Sequence, residues 1–137
     1  MKTILVTGSS GLVGTHLVHK LIEKGYYVVG VDLKRPDYEI DPTNFNFIQV
    51  DLTDSKIVET LFERVKPDGV INAFGIKGSP IRAKENPLDF LEPSIKANIN
   101  IIEQSYVHHS WLVFMSSVGV YEPAEEFVED TVWKTLP

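Results

Sequence analysis

Two kinds of apolar stretch alternate along the chain. Ile4-Leu5-Val6, Tyr27-Val28-Val29-Gly30-Val31, Gly69-Val70-Ile71-Asn72-Ala73 and Trp111-Leu112-Val113-Phe114-Met115 are short continuous runs. That is the pattern of strands buried on both faces. Phe45 to Val50 alternates more and reads as a further strand. Between the runs, apolar residues recur at helical spacing. Leu12, Val13, Leu17, Val18, Leu21 and Ile22 form one stripe, with Gly25 where a helix is capped. Ile57, Val58, Leu61, Phe62 and Val65 form a second, with Asp54 or Ser55 as the N-cap and Pro67 as the stop. From about Leu88 to His108, a long helical pattern puts Leu88, Leu91, Ile95, Ile99, Ile102 and Tyr106 on one face. Pro87 and Pro93 lie early in it, so the helix is expected to begin near Pro93 or to bend there. The stretch from Asp32 to Phe45 holds Pro36, Asp37, Asp41 and Pro42 and reads as irregular, as does the tail from Glu122 to Pro137.

Strands separated by helices imply parallel pairing, with helices on both faces of one sheet. The expected architecture is a doubly wound parallel α/β sheet with strand order 3-2-1-4-5 and a ligand crevice between strands one and four. The 137 residues suffice for one domain, residues 1–137. A chain of this size can bury roughly 68% of its unfolded surface. Thirteen basic against 19 acidic side chains give a net charge of −6, which argues against a nucleic-acid partner. The absence of cysteine removes disulfides, thiolate metal sites and a cysteine nucleophile. No residue set is read as a metal site: His108-His109 closes a helix, and the acids Glu125, Glu126, Glu129 and Asp130 are read as solvated surface. No apolar run has membrane-spanning length, and the N-terminus lacks a signal-peptide pattern, so a soluble, cytoplasmic protein with no membrane partner is expected.

Thr7-Gly8-Ser9-Ser10-Gly11-Leu12-Val13-Gly14 joins the first strand to the first helix. Phosphate binding needs that setting: free N–H groups at a helix N-terminus and no side chain in the way. Gly8 permits a tight turn, Gly11 lets backbone approach a diphosphate, and Gly14 is expected to let helix and strand pack closely. The spacing is neither G-x-G-x-x-G nor a P-loop, since Thr15 and His16 follow Gly14. Three glycines alone are also what a purely structural turn would carry. Asp32 adds to the signal: it ends the second strand, where a carboxylate accepts hydrogen bonds from an adenosine ribose. A 2′-phosphate would face this charge at a cost on the order of 4 kcal/mol for a pair ~4 Å apart. NAD is therefore preferred over NADP, although Lys34 and Arg35 beside it can pair with a 2′-phosphate; the lesser alternative is that Asp32 caps the strand beside a solvated loop.

Together these residues resemble the extended branch of the short-chain dehydrogenase/reductase superfamily, the NAD-dependent sugar-nucleotide epimerases, dehydratases and reductases. The T-G-x-x-G-x-x-G motif of that family matches Thr7 to Gly14, and the acid closing strand two matches Asp32. The acid with an apolar neighbour after strand three, which contacts adenine, matches Asp51-Leu52. The segment after strand four matches Val70 to Gly75, and S-S-x-x-V-Y matches Ser116 to Tyr121. The resemblance implies a Rossmann fold and a cofactor site made from Gly8, Ser10, Gly11, Leu12, Val13, Gly14, Asp32, Asp51, Leu52, Ala73, Phe74, Gly75, Lys77 and Ser116. It implies Ser117 as the catalytic hydroxyl, and Tyr121 as a pocket wall rather than the acid/base tyrosine. Where many members carry a cofactor-facing Asn early in the long helix, this chain has Ser94; Asn98 and Asn100 follow a turn later and receive no role.

The Y-x-x-x-K of the family would fall just past Pro137. Its tyrosine takes a proton from a sugar hydroxyl, helped by a lysine that lowers the tyrosine pKa. The chain is therefore expected to be the N-terminal, cofactor-binding part of a longer nucleotide-sugar enzyme and to be inactive alone. Two other readings share these motifs: a non-catalytic module that binds or senses NAD(H), and an extended-branch reductase of a non-sugar carbonyl. A homodimer is the expected assembly, because the last strand would present an open sheet edge.

Overall fold

A computed structural model describes residues 1–39, 41–76, 79–117, 120–121 and 125–134. Five parallel strands form one sheet: β1 (Thr3–Thr7), β2 (Tyr27–Asp32), β3 (Phe45–Gln49), β4 (Gly69–Asn72) and β5 (Trp111–Phe114). Their order is β3-β2-β1-β4-β5, as the alternation of runs and stripes predicts. Leu5 of β1 pairs with Val29 of β2 and Val70 of β4, which places three apolar residues side by side at the centre of the sheet.

Successive side chains of a strand point to opposite faces, and both faces here are covered. Helix α1 (Leu12–Glu23) covers one face, where Val18 packs with Ile4, Val6, Val28, Phe45 and Ile71. Helices α2 (Ser55–Val65) and α4 (Leu88–Val107) cover the other. There Val58, Leu61 and Phe62 of α2 and Ala97 and Ile101 of α4 pack with Leu5, Val29, Val31 and Val70. Asp54 is the N-cap of α2, its carboxylate accepting from the N–H groups of Lys56 (3.0 Å) and Ile57 (3.1 Å). Just past α1, Gly25 adopts φ +83° and donates its N–H to the Ile22 carbonyl, the left-handed helix end that glycine permits most cheaply.

The structure differs from the sequence reading in three places. A short helix, α3 (Pro80–Glu85), precedes α4; Ser79 caps it by accepting from the Arg82 N–H, and Pro80 supplies a preset φ in the first turn. Helix α4 begins at Leu88 and runs through Pro93 rather than starting there. The tail is not wholly irregular, since Glu129–Lys134 forms a 3-10 helix. The apolar stripe of α4 does share one face, and that face points away from the sheet: Leu88, Leu91, Ile95, Ile99, Ile102 and Tyr106 are between 47% and 82% exposed. The buried face of α4 is Ala97, Asn100, Ile101 and Ser105, in which Ile101 is the one large apolar side chain packed into the core.

Candidate functional site

The site lies beyond the C-terminal ends of the strands, where the chain leaves β1 for α1 and β4 for the segment before α3. Gly8 turns the chain with φ +65°, and a Cβ there would stand 2.7 Å from the Ala73 carbonyl oxygen. The turn therefore presses directly on the end of β4. A Cβ on Gly14 would collide with the Gly8 carbonyl, so the close contact it permits is with the turn itself, not with a strand as expected. Gly11 is the N-cap of α1 and has no side chain to cap it. The first-turn N–H groups of α1, those of Leu12, Val13 and Gly14, thus have no capping side chain, and such groups are what an anion takes at a helix N-terminus.

Asp32 is tied to this turn. Its carboxylate accepts from the Ser10 N–H (3.1 Å) and the Lys34 N–H (3.3 Å), while the Ser10 hydroxyl donates to the Lys34 carbonyl (2.7 Å). A third tie comes from Tyr38, whose hydroxyl donates to the Ser9 carbonyl (3.0 Å) and whose ring packs against His19 and Phe45. Burial, and then the nearby Asp32 charge, push the Tyr38 phenol above its usual pKa, so it stays a donor at neutral pH. The carboxylate of Asp51 accepts from the N–H and the hydroxyl of Thr53, at 2.9 and 2.8 Å, which folds residues 51–53 into a compact turn.

The end of β4 is fixed by a buried polar relay. Thr7 donates its hydroxyl to the Asn72 side-chain oxygen and accepts the Phe74 N–H (3.2 Å); the Asn72 amide donates to the Asn98 side-chain oxygen (2.9 Å). Burying these groups is tolerable because they satisfy one another.

A cleft of about 630 Å³ joins these parts, lined by Gly8, Gly11, Leu12, Val13 and Gly14 of the turn and by Asp32, Asp51, Leu52, Ala73, Phe74 and Gly75. Eleven residues expected from the sequence therefore meet in one place. Ser10 does not line the cleft; its N–H and hydroxyl hold Asp32 and Lys34. Ser116 and Ser117 follow β5, are exposed, and do not line this cleft. Lys77 lies outside the described residues. The remaining walls, Leu33, Val50, Thr53, Ile76 and Pro93, are not marked by the motifs. Neither are Tyr38, Asn98 and Asn100, whose parts come from contacts distant in sequence. Pro93 had a visible signal, a proline inside a helical stripe, but that signal speaks to helix geometry rather than to a ligand.

Comparisons with known proteins agree with this geometry. The family model described as "NAD dependent epimerase/dehydratase family" matches residues 4–136. UDP-glucose 4-epimerase of Pisum sativum is 32% identical over 142 residues, covering 93% of this chain and 40% of its own length. Among solved structures, UDP-glucose 4-epimerase of Thermus thermophilus in complex with NAD superposes with a TM-score of 0.79 at 29% identity, over 94% of this chain and 43% of that one. The Thermotoga maritima UDP-glucose 4-epimerase with UDP-glucose gives 0.77 at 29% identity, over 91% and 41%. This chain thus spans less than half the length of these relatives. It belongs to the NAD-dependent epimerase/dehydratase family.

Proposed function

We propose that residues 1–137 bind NAD in the cleft and form the cofactor-binding part of a nucleotide-sugar epimerase, dehydratase or reductase. The observation that carries this reading is the meeting of an uncapped helix N-terminus, a strand-end carboxylate and the Asp51 turn around one 630 Å³ cleft. The first-turn N–H groups of α1 hold the diphosphate, and the glycines keep Cβ atoms out of its way. Asp32 accepts from the adenosine ribose, already oriented by the Ser10 and Lys34 N–H groups. Asp51 and Leu52 flank the adenine, and Ala73 to Gly75 pass the second ribose. NAD, when bound, supplies hydride acceptance and return at a sugar carbon.

Ser117, at the C-terminal side of β5, is the hydroxyl we assign to orienting a reacting sugar oxygen. It cannot serve as the base at neutral pH. That step needs a tyrosine with a lysine four residues on, and after Ser117 this chain has only Tyr121, with Glu125 at the corresponding position. Residues 1–137 accordingly bind cofactor without turning over a nucleotide sugar.

Calorimetry with NAD and NADP tests the reading. NAD binds, weakly and ahead of NADP, and Asp32→Ala narrows that preference. An unchanged NAD/NADP ratio in the variant would show that Asp32 does not face the ribose.

A homodimer also belongs to this proposal, with its seam on α4 in place of the β5 edge expected from the sequence. Leu88, Leu91, Ile95, Ile99, Ile102 and Tyr106 repeat at intervals of three and four residues on the exposed face, the spacing that pairs one helix with another.

A further inference from the structure

Helix α4 lines the cleft with Pro93 and reaches the 51–53 turn on its far wall with the amide of Asn100. Asn100 is 8% exposed and lies on the buried face of α4 with Ala97 and Ile101. Its amide donates to the Leu52 carbonyl at 2.9 Å across that layer. The apolar cluster beside it contains Leu5, Val31, Val58 and Leu61, so packing alone would be served by a leucine or an alanine. An amide is costly in such a place unless it is hydrogen-bonded, and the bond it makes goes to the backbone between Asp51 and Thr53.

The Leu52 side chain packs in that same cluster, and the other hydrogen bonds of the segment are short-range. The Asp51 carboxylate takes the Thr53 N–H and hydroxyl, and the Asp54 N–H donates to the Asp51 carbonyl at 3.3 Å. Those bonds set the shape of the turn, but they do not set where the turn sits against the cleft. The Leu52–Asn100 bond ties it to α4.

We infer that Asn100 is a positioning residue that holds the 51–53 turn so that the Asp51 carboxylate reads the 6-amino group of an adenine ring. The inference rests on the reading of the cleft as an adenine-nucleotide site. Adenine presents an N–H donor to a carboxylate; hypoxanthine presents a carbonyl oxygen in the same place and is repelled. Base discrimination is thus a readout that a purely structural role of Asn100 would leave alone.

The probes are ADP and inosine 5′-diphosphate, titrated calorimetrically against the 137-residue chain, with thermal melting reporting the folded fraction. The unaltered chain binds ADP at least about tenfold more tightly, the order expected for one hydrogen bond to a charged group. Asn100→Leu weakens ADP selectively, bringing the two affinities within about threefold, roughly the loss of most of that bond. If Asn100→Leu does not fold, the same ratio is read on Asn100→Ala, which removes the donor and adds no bulk. A ratio unchanged in the variant, or both nucleotides weakened by one factor, overturns the inference and leaves the cleft assignment standing. Equal binding of both nucleotides by the unaltered chain also overturns it, because Asp51 then reads no base. Binding of neither removes the cleft assignment itself.

Discussion

Helices α2 and α4 lie side by side on one face of the sheet, yet they relate to it in opposite ways. On α2 the apolar stripe points inward: Val58, Leu61 and Phe62 are buried, and the charged residues Glu59, Glu63 and Arg64 face out. On α4 the six large apolar residues of the stripe point outward, and the inward face joins Ile101 to alanine, serine and asparagine. An amphipathic pattern therefore identifies the face that a helix buries against something, without saying what that something is. For α2 it is the sheet of its own domain. For α4 the sheet takes the face that carries Ala97, Asn100, Ile101 and Ser105, and the greasy face is left exposed.

The comparison breaks most visibly at Phe62. Its ring is fully buried in the cluster that α2 and α4 share and lies 5.6 Å from the His108 ring, centroid to centroid. Phe62→Ala is expected to cost about 3–5 kcal/mol of unfolding free energy, because the packed sheet cannot collapse into the void. Urea denaturation measures it. A loss below about 1 kcal/mol would mean that the inward stripe of α2 does not anchor this face of the sheet.

The outward stripe of α4 predicts the reverse response. Replacing Leu91 and Ile102 together by lysine removes large apolar side chains that are 54% and 48% exposed. Urea stability at a protein concentration low enough to disfavour association should stay within about 0.5 kcal/mol, as for surface substitutions generally. Sedimentation equilibrium should show self-association in the unaltered chain and none in the double variant. A strongly destabilised monomer would place the stripe in the folding core, and an unaltered chain that stays monomeric would remove the homodimer.

How far the fold could be read from the sequence follows from the same contrast. The five strands and their order were legible because parallel strands buried on both faces are written as continuous apolar runs, and the helical stripes between them dictate crossovers. The glycine turn and Asp32 were legible because backbone packed this closely is written as glycine, and an acid that closes a continuous apolar run stands out. Asn98 and Asn100 were seen but given no role, since their partners Asn72 and Leu52 lie 26 and 48 residues away and no local pattern encodes such a pair. Helix α3 was missed because six residues are too few for a period to emerge; its signals are only Ser79 as cap and Pro80 after it. The orientation of α4 was not legible for a physical reason: a stripe tells which residues share a face but not what that face meets, and small residues facing a sheet leave little periodic trace.

The smallest effect concerns how the helices end. Helix α1 is followed by Gly25 at φ +83°, whereas α2 ends on Lys66 at φ +48° and ψ +58°, and His109 just beyond α4 has φ +55°. Left-handed backbone brings Cβ close to the carbonyl oxygen that follows it, and glycine avoids that contact. The Lys66 N–H still donates to the Phe62 carbonyl at 2.8 Å, so the backbone bond closing the helix does not depend on its side chain. Lys66→Gly should therefore raise stability by up to about 1 kcal/mol, offset in part by the greater freedom of glycine in the unfolded chain. The gain should be read as a higher urea midpoint with an unchanged slope. Because Pro67 follows at once and restricts residue 66 to begin with, a neutral or negative result would mean that Pro67, not the left-handed turn, governs how α2 ends.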